Sequence, residues 1–391
     1  MKYNFDKVID RSGTSAEKVE GLKHIWGRTD LIPLWVADMD FATAPFVTDA
    51  IRKRCENEVL GYTGKPDSYY NAIINWVKQR YDLIVTKEVI NFVPGIVPGI
   101  GMAMNCFTRK GDKVMIQPPV YHPFAWVTTR NERTLVINPL KWENGMYRMD
   151  LDAFREQIKG CKLFILCNPH NPGGVVWTEA ELRAIADICY DEKVLVFSDE
   201  IHADLTLPPH THRPFATVSE KARMNSVTFM SPSKAFNMPG LSASHALIFN
   251  EDLRKRFRIY MDAGELDMGH VFAFLSVEAA YSHGTEWLDQ CLAYIQGNID
   301  FVDEFLKKHA PKIKAIRPEA SYLVWLDCRE LELSQKDLNE FFVDKAHLAL
   351  NDGEMFGKEG IGFMRLNVAS PRCIIEKAMK QLADAYQLYI K

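Results

Sequence analysis

Between about residues 88 and 250, short apolar runs alternate with amphipathic stretches. The runs are Val89–Val93, Lys113–Gln117, Thr134–Asn138, Leu163–Cys167, Val194–Ser198, Val227–Met230 and Ala246–Phe249. Helical segments lie between them, among them Leu151–Ile158 and Glu179–Tyr190, the latter opened by Thr178 as an N-cap. Strands that read as nearly continuous apolar runs, separated by helices, predict a mostly parallel sheet covered on both faces. That is a doubly wound α/β domain, whose ligands bind beyond the carboxyl ends of the strands. After residue 285 the pattern changes to a long helix (Glu286–His309), Tyr322–Asp327, a helix near Gln335–Ala346, Gly362–Val368 and a final helix Pro371–Tyr389. Few strands and no repeated βαβ unit predict a smaller α+β domain. The first 45 residues contain Pro33 and Pro45 and little periodicity, and they read as an arm. The expected division is therefore an arm (1–45), a large domain (46–285) and a small domain (286–391).

Composition narrows the function classes. A chain of 391 residues can build two domains, and 47% hydrophobic with 25% charged residues is ordinary for a globular protein. A net charge of -4 leaves no electrostatic footprint for nucleic acid. No apolar run approaches the roughly 20 residues that span a bilayer. The opening Met1-Lys-Tyr-Asn-Phe-Asp lacks the apolar core of a signal peptide. Eight cysteines are scattered without CxxC pairs, which argues for reduced thiols and against a disulfide framework or a zinc site. The expectation is a cytoplasmic enzyme with no metal, membrane or nucleic-acid partner.

The candidate chemistry sits where the apolar runs end. The run Val227–Met230 leads into Ser231-Pro-Ser-Lys-Ala-Phe-Asn-Met-Pro-Gly-Leu241. Desolvation of Lys234 in this turn lowers its pKa toward that of a usable nucleophile, and Ser231 and Ser233 can serve an anion. The first run ends in Pro94-Gly-Ile-Val-Pro-Gly-Ile-Gly101, either an anion cradle at a helix amino terminus or an ordinary βα turn. It is neither a dinucleotide fingerprint nor a Walker loop. Tyr121, in Pro118-Pro-Val-Tyr-His-Pro-Phe124, either stacks on a flat cofactor or packs a core. Asn168-Pro-His-Asn-Pro-Gly-Gly174 is a rigid, non-helical turn that can hold an amide in a cleft. Asp199 closes the fifth run, where a buried acid needs a partner such as a protonated ring nitrogen, an N-cap or a salt bridge. His202 is either a nearby base or a satisfied polar residue. Arg365 stands inside the apolar segment Gly362–Val368, and its guanidinium suits a carboxylate. Lysine, anion-binding hydroxyls and an acid for a ring nitrogen are together what a pyridoxal phosphate site requires.

These motifs resemble the fold-type-I pyridoxal-phosphate enzymes, the aspartate aminotransferase superfamily, over nearly the whole chain. More narrowly, Pro33-Leu-Trp-Val-Ala-Asp-Met-Asp-Phe41, Gly61-Tyr-Thr-Gly64, Asn168–Gly174, Ser198-Asp-Glu-Ile-His-Ala-Asp204 and Ser231–Asn237 resemble the MalY/PatB branch of cystathionine β-lyases or cysteine C–S lyases. The resemblance implies that Lys234 is the Schiff-base lysine and proton shuttle and that Asp199 pairs with the pyridinium nitrogen. Asn171 would bond the phenolic oxygen, and Tyr121 would stack on the ring. Ser231, Ser233 and the amides of Ile96 and Val97 would hold the phosphate, with Tyr62 reaching the phosphate of a second subunit in a homodimer. Arg365 would clamp the substrate carboxylate, and Trp35, Asp38 and Asp40 either border the substrate or pack the arm. His202 stands where the broader superfamily places a tyrosine, and Ser242 where it often places a phosphate-binding arginine. The implied reaction is α,β-elimination of an S-substituted cysteine to a thiol, pyruvate and ammonia. An aminotransferase shares every residue named, and a pyridoxal-phosphate-binding regulator with little turnover is the alternative from another class.

Overall fold

The structure, a computed structural model, describes residues 2–389. Seven strands form one sheet in the order Ile90–Val93, Ser244–Leu247, Ser226–Met230, Leu195–Asp199, Cys161–Cys167, Lys113–Ile116 and Thr134–Ile137. All neighbours are parallel except Ser244–Leu247, which runs antiparallel to both of its partners. Each predicted apolar run is a strand, with ends displaced by one or two residues.

Alternate residues explain the two covered faces. Val93, Leu163, Ile165, Phe197 and Phe229 join a core with the helices Ile96–Phe107 and Glu251–Asp262. Their neighbours Phe92, Phe164, Leu166, Val196 and Met230 point the other way, into two further core clusters. There Glu179–Asp191 covers part of the sheet through Leu182, Ile185 and Cys189. That helix starts with a full capping box: Thr178 Oγ1 accepts from the Glu181 amide at 3.2 Å and Glu181 accepts from the Thr178 amide at 2.8 Å.

A second, four-stranded antiparallel sheet orders Lys314–Ile316, Leu323–Asp327, Phe363–Asn367 and Asn351–Asp352. The helices Thr285–His309 and Arg372–Tyr389 pack on it through Ile299, Val302, Met379 and Leu382. The helix expected near 335–346 is α-helical only over Gln335–Glu340 and then widens over Phe341–Lys345, where the Ala346 amide reaches the Phe341 carbonyl. The wider turn keeps Phe341, Phe342 and Ala346 all buried. The amino-terminal segment holds more structure than its weak periodicity predicts. It contains the helix Glu17–Trp26 and a short strand, Ile32–Pro33, paired with Leu348–Ala349.

Candidate active site

At the carboxyl ends of the parallel strands lies a cavity of about 270 Å³, between the large sheet and residue 37 of the amino-terminal segment. The expected loops arrive there because the strands beneath them are parallel. Lys234 and Ser233 follow Ser226–Met230, Asp199 ends its strand, Asn171 follows Cys161–Cys167, and Tyr121 follows Lys113–Ile116. The antiparallel strand brings its amino end to the same place, so Ser242, Ala243 and Ser244 also line the wall. Gly95, at φ 110, turns the chain into the helix Ile96–Phe107, whose first residues face the cavity. Free amides at a helix amino terminus attract an anion.

The electrostatics follow from burial. Lys234 Nζ donates to the Ala37 carbonyl at 2.7 Å, and burial lowers its pKa to about 8 against the opposing charges of Asp38 and Asp199. Asp199 is pushed up to about 7 by burial, with the neighbouring Glu200 charge adding to it and the Ile201 amide opposing at 3.1 Å. Glu200 is itself fully satisfied, accepting from Ser198 Oγ, the Phe215 amide and the His212 ring, each at 2.8 Å. This frame fixes the turn that presents Asp199. Burial drives His202 down to about 3, and its Nδ1 has no partner. Burial thus keeps the His202 ring neutral at physiological pH.

Arg365 is buried on Phe363–Asn367. Its Nη1 donates to Asn171 Oδ1 at 3.1 Å, and its Nη2 donates to Asn351 Oδ1 and to the Trp35 carbonyl at 3.1 Å. Its Nε has no partner, and the guanidinium lies over the Phe356 ring at 4.8 Å. Burial lowers its pKa to about 10, and no carboxylate among the described residues pairs with it. Its neighbours are neutral oxygens, which leaves the positive charge available to an anion.

Three expected residues are placed differently from the rest. Ser231 does not line the cavity: its Oγ donates to the Ala243 carbonyl at 2.7 Å and accepts from the Ser233 amide at 3.1 Å, holding the lysine loop in shape. Trp35 presents its backbone carbonyl to Arg365, while its indole donates to the Lys18 carbonyl at 3.0 Å and packs on Trp26. Tyr62 is 98% exposed on an irregular segment and takes no part in the cavity wall. Ala37, Asn351 and Phe356 were missed. Ala37 acts through its backbone and carries no side-chain signal, and the other two come from a two-residue strand and the 3-10 turn after it, both too short to show a period.

A pyridoxal phosphate molecule fits this donor set. The cavity offers a lysine short of its full charge, an acid without a cationic partner, an aromatic ring, and helix amides with serine hydroxyls for a phosphate. Among the described residues His202 Nδ1, on the cavity wall, has no partner, and neither does Nε of Arg365, which reaches the cavity through Asn171.

Comparison with known proteins agrees. Residues 29–382 match the family described as aminotransferase class I and II. The chain is 38% identical to cystathionine beta-lyase PatB of Bacillus subtilis, over 98% of this chain and 99% of that protein. It is 30% identical to the protein MalY of Escherichia coli, over 98% of each. The crystal structure of cystalysin from Treponema denticola, which contains a pyridoxal 5'-phosphate cofactor, superposes with a TM-score of 0.96 at 33% identity, covering 100% of both chains. The fold is therefore that of the fold-type-I pyridoxal-phosphate enzymes, and the chain belongs to the aminotransferase class I and II family, within the branch that holds PatB and MalY.

Proposed function

We propose that this protein is a pyridoxal-phosphate-dependent carbon–sulfur β-lyase that converts cystathionine or a related S-substituted cysteine to a thiol, pyruvate and ammonia. The observation that carries the reading is one cavity joining a lysine whose pKa burial lowers to about 8, a buried acid and, through Asn171, an arginine that pairs with no carboxylate among the described residues. The choice of elimination rests on the end-to-end likeness to PatB, a cystathionine beta-lyase.

When bound, the cofactor supplies an electron sink for negative charge developing at a substrate α-carbon. Asp199 would hold its ring nitrogen, Tyr121 would lie on its ring, and Asn171 would meet its phenolic oxygen. Ser233 and the Ile96 and Val97 amides would hold its phosphate. Arg365 orients the substrate by its carboxylate, with the guanidinium set in advance by Asn171 and Asn351. Lys234 Nζ, with a pKa near the operating pH, takes the α-proton. Loss of that proton is coupled to cleavage of the Cβ–S bond, the sulfur leaves as a thiol, and water completes the conversion to pyruvate and ammonia.

The chain is further read as an arm, a cofactor-binding domain over 46–285 and a small domain over 286–391. The two separate sheets and the pairing of Ile32–Pro33 with Leu348–Ala349 support that division. A homodimer with shared sites is supported by Val59, Leu60 and Tyr62, apolar side chains exposed together on one irregular segment. A cytoplasmic location is supported by eight unpaired cysteines. No helix among the described residues is long and apolar enough to cross a membrane.

The deciding assay uses purified protein with cystathionine and no added 2-oxo acid. Pyruvate and thiol in equal amounts are expected. Turnover that appears only when a 2-oxo acid is supplied would establish an aminotransferase instead, and a cofactor absorption band without any turnover would establish a regulator.

A further inference from the structure

The segment Trp35–Phe41 is a strap whose carbonyls are committed almost one by one. Trp35 O accepts from Arg365 at 3.1 Å, while Ala37 O accepts from Lys234 Nζ at 2.7 Å and from Tyr322 OH at 2.9 Å. Val36 O and Asp38 O both accept from Asn367 Nδ2 at 2.7 Å. Met39 O and Phe41 O accept from Asn237 Nδ2 at 3.0 and 2.7 Å. One short strap thus touches both the lysine and the arginine of the site.

The side chains of the strap bear on a charge cluster outside the cavity. Arg11 donates to both Asp38 oxygens, at 2.6 and 3.2 Å, and to Asp40 at 3.1 Å. Lys18 donates to Asp40 at 2.8 Å and to the Asp38 carbonyl at 3.3 Å, and stands 3.6 Å from the Asp38 carboxylate. Lys18 has no exposed side-chain surface, whereas Arg11 keeps 24% exposure at the wall of a second, open cavity of about 990 Å³. Two carboxylates therefore face one guanidinium and one ammonium, all supplied by the first 40 residues.

We propose that Arg11 and Lys18 are positioning residues for the reaction: they hold Asp38 behind the Ala37 carbonyl and so set both the placement of Lys234 Nζ and the negative charge that it faces. This rests on the reading of Lys234 as the reactive lysine. The charged groups acting on Lys234 are Asp38 from the strap, Asp199 from the strand end and Arg365 from the small sheet. His202 and Tyr322 stand nearby, and burial keeps both uncharged. Asp38 favours the ammonium form of Lys234, and Arg11 offsets that charge. Removing the aspartate charge and removing its arginine partner must therefore act on Lys234 with opposite signs. A role confined to holding the arm would move both variants the same way.

The test measures the pH profile of Lys234 acylation in cofactor-free protein by peptide mass spectrometry. Asp38→Asn is expected to lower the midpoint and Arg11→Gln to raise it, each by about half a pH unit, or roughly threefold in labelling rate at fixed pH. Arg11→Lys restores the parental midpoint. The pH transition of the bound cofactor's visible band moves in the same senses. Shifts of the same sign in the two variants, or shifts below about 0.2 unit in both, overturn the clamp. Borohydride reduction of cofactor-loaded protein separates the two readings. A tag on Lys234 leaves the function reading standing whatever the clamp variants do, and a tag on another lysine overturns both.

Discussion

Asp199 and Arg365 are buried ionisable groups that form no ion pair among the described residues. In the folded chain Asp199 keeps its proton up to about pH 7, against 3.8 for the ordinary group. The native state then holds the extra proton between those values, so this group's contribution to stability falls as pH rises through the window and stays low above it. The gap corresponds to up to about 4 kcal/mol, and a cationic ring nitrogen would remove the penalty. At pH 8 cofactor-free Asp199→Asn should therefore melt no lower than the parent, while its affinity for pyridoxal phosphate falls by at least about tenfold; calorimetry and a fluorescence titration read the two effects. Arg365→Lys loses the two-pronged geometry while keeping the charge. Replacing a charge-assisted pair should raise the substrate KM by roughly 10- to 100-fold, with a smaller change in kcat. An equal loss in kcat alone would place Arg365 away from the carboxylate. Both residues were legible because a charge at the end or in the middle of an apolar strand needs a partner. Ser231 was legible as a hydroxyl beside the lysine, but its bond to the Ala243 carbonyl depends on the chain returning 12 residues later, and no local pattern reports that.

At the scale of elements, legibility tracked the strength of the hydrophobic period. The seven core strands and the helix after Thr178 are long, apolar and cleanly bounded, and they appear where expected. Several elements went unread, among them the helices Pro45–Cys55 and Asp67–Tyr81 and the strand Lys314–Ile316, and two of the misses have a clear cause. The hairpin Lys141–Glu143 with Met146–Arg148 turns on Asn144-Gly145, at φ 52 and 80, and that dipeptide is itself a strong hairpin signal that could have been read. The helix Glu17–Trp26 was hidden because Lys18 sits on its buried face beside Gly21 and Leu22, where an apolar residue is expected. The exception has a cause in Asp38 and Asp40. Without Lys18, Asp38 and Asp40 share Arg11 alone, so Lys18→Met should cost about 1.5–3 kcal/mol of stability by denaturant unfolding. Thr178→Ala, which removes only an exposed cap, should cost about 1 kcal/mol.

For the molecule as a whole, the sequence pattern distinguished a large, mostly parallel sheet from a smaller region of mixed helix and strand, whose antiparallel pairing only the structure shows. It could not show how far the amino-terminal segment reaches, because that segment is held by carbonyls and by a cluster of charges and carries little periodicity. The proposed homodimer with shared sites has a complementation test. Tyr62→Ala and Lys234→Ala, each inactive alone, should recover roughly a quarter of parental activity when unfolded and refolded together, since half the dimers are mixed and each mixed dimer has one intact site. No recovery from a mixture shown to contain mixed dimers would mean that each chain completes its own site.

The strap has a consequence for the order in which this protein is made. Every group assigned to the cofactor within one chain has left the ribosome once residue 247 has, because the large sheet is then complete. Trp35 and Ala37 emerge far earlier, but the Trp35 carbonyl meets Arg365 only when residue 365 arrives, and Tyr322 and Asn367 also come late. A nascent chain can thus assemble the cofactor end long before it can recognise a substrate. A chain ending short of residue 363 should take up the coenzyme's colour and remain unable to select an amino acid.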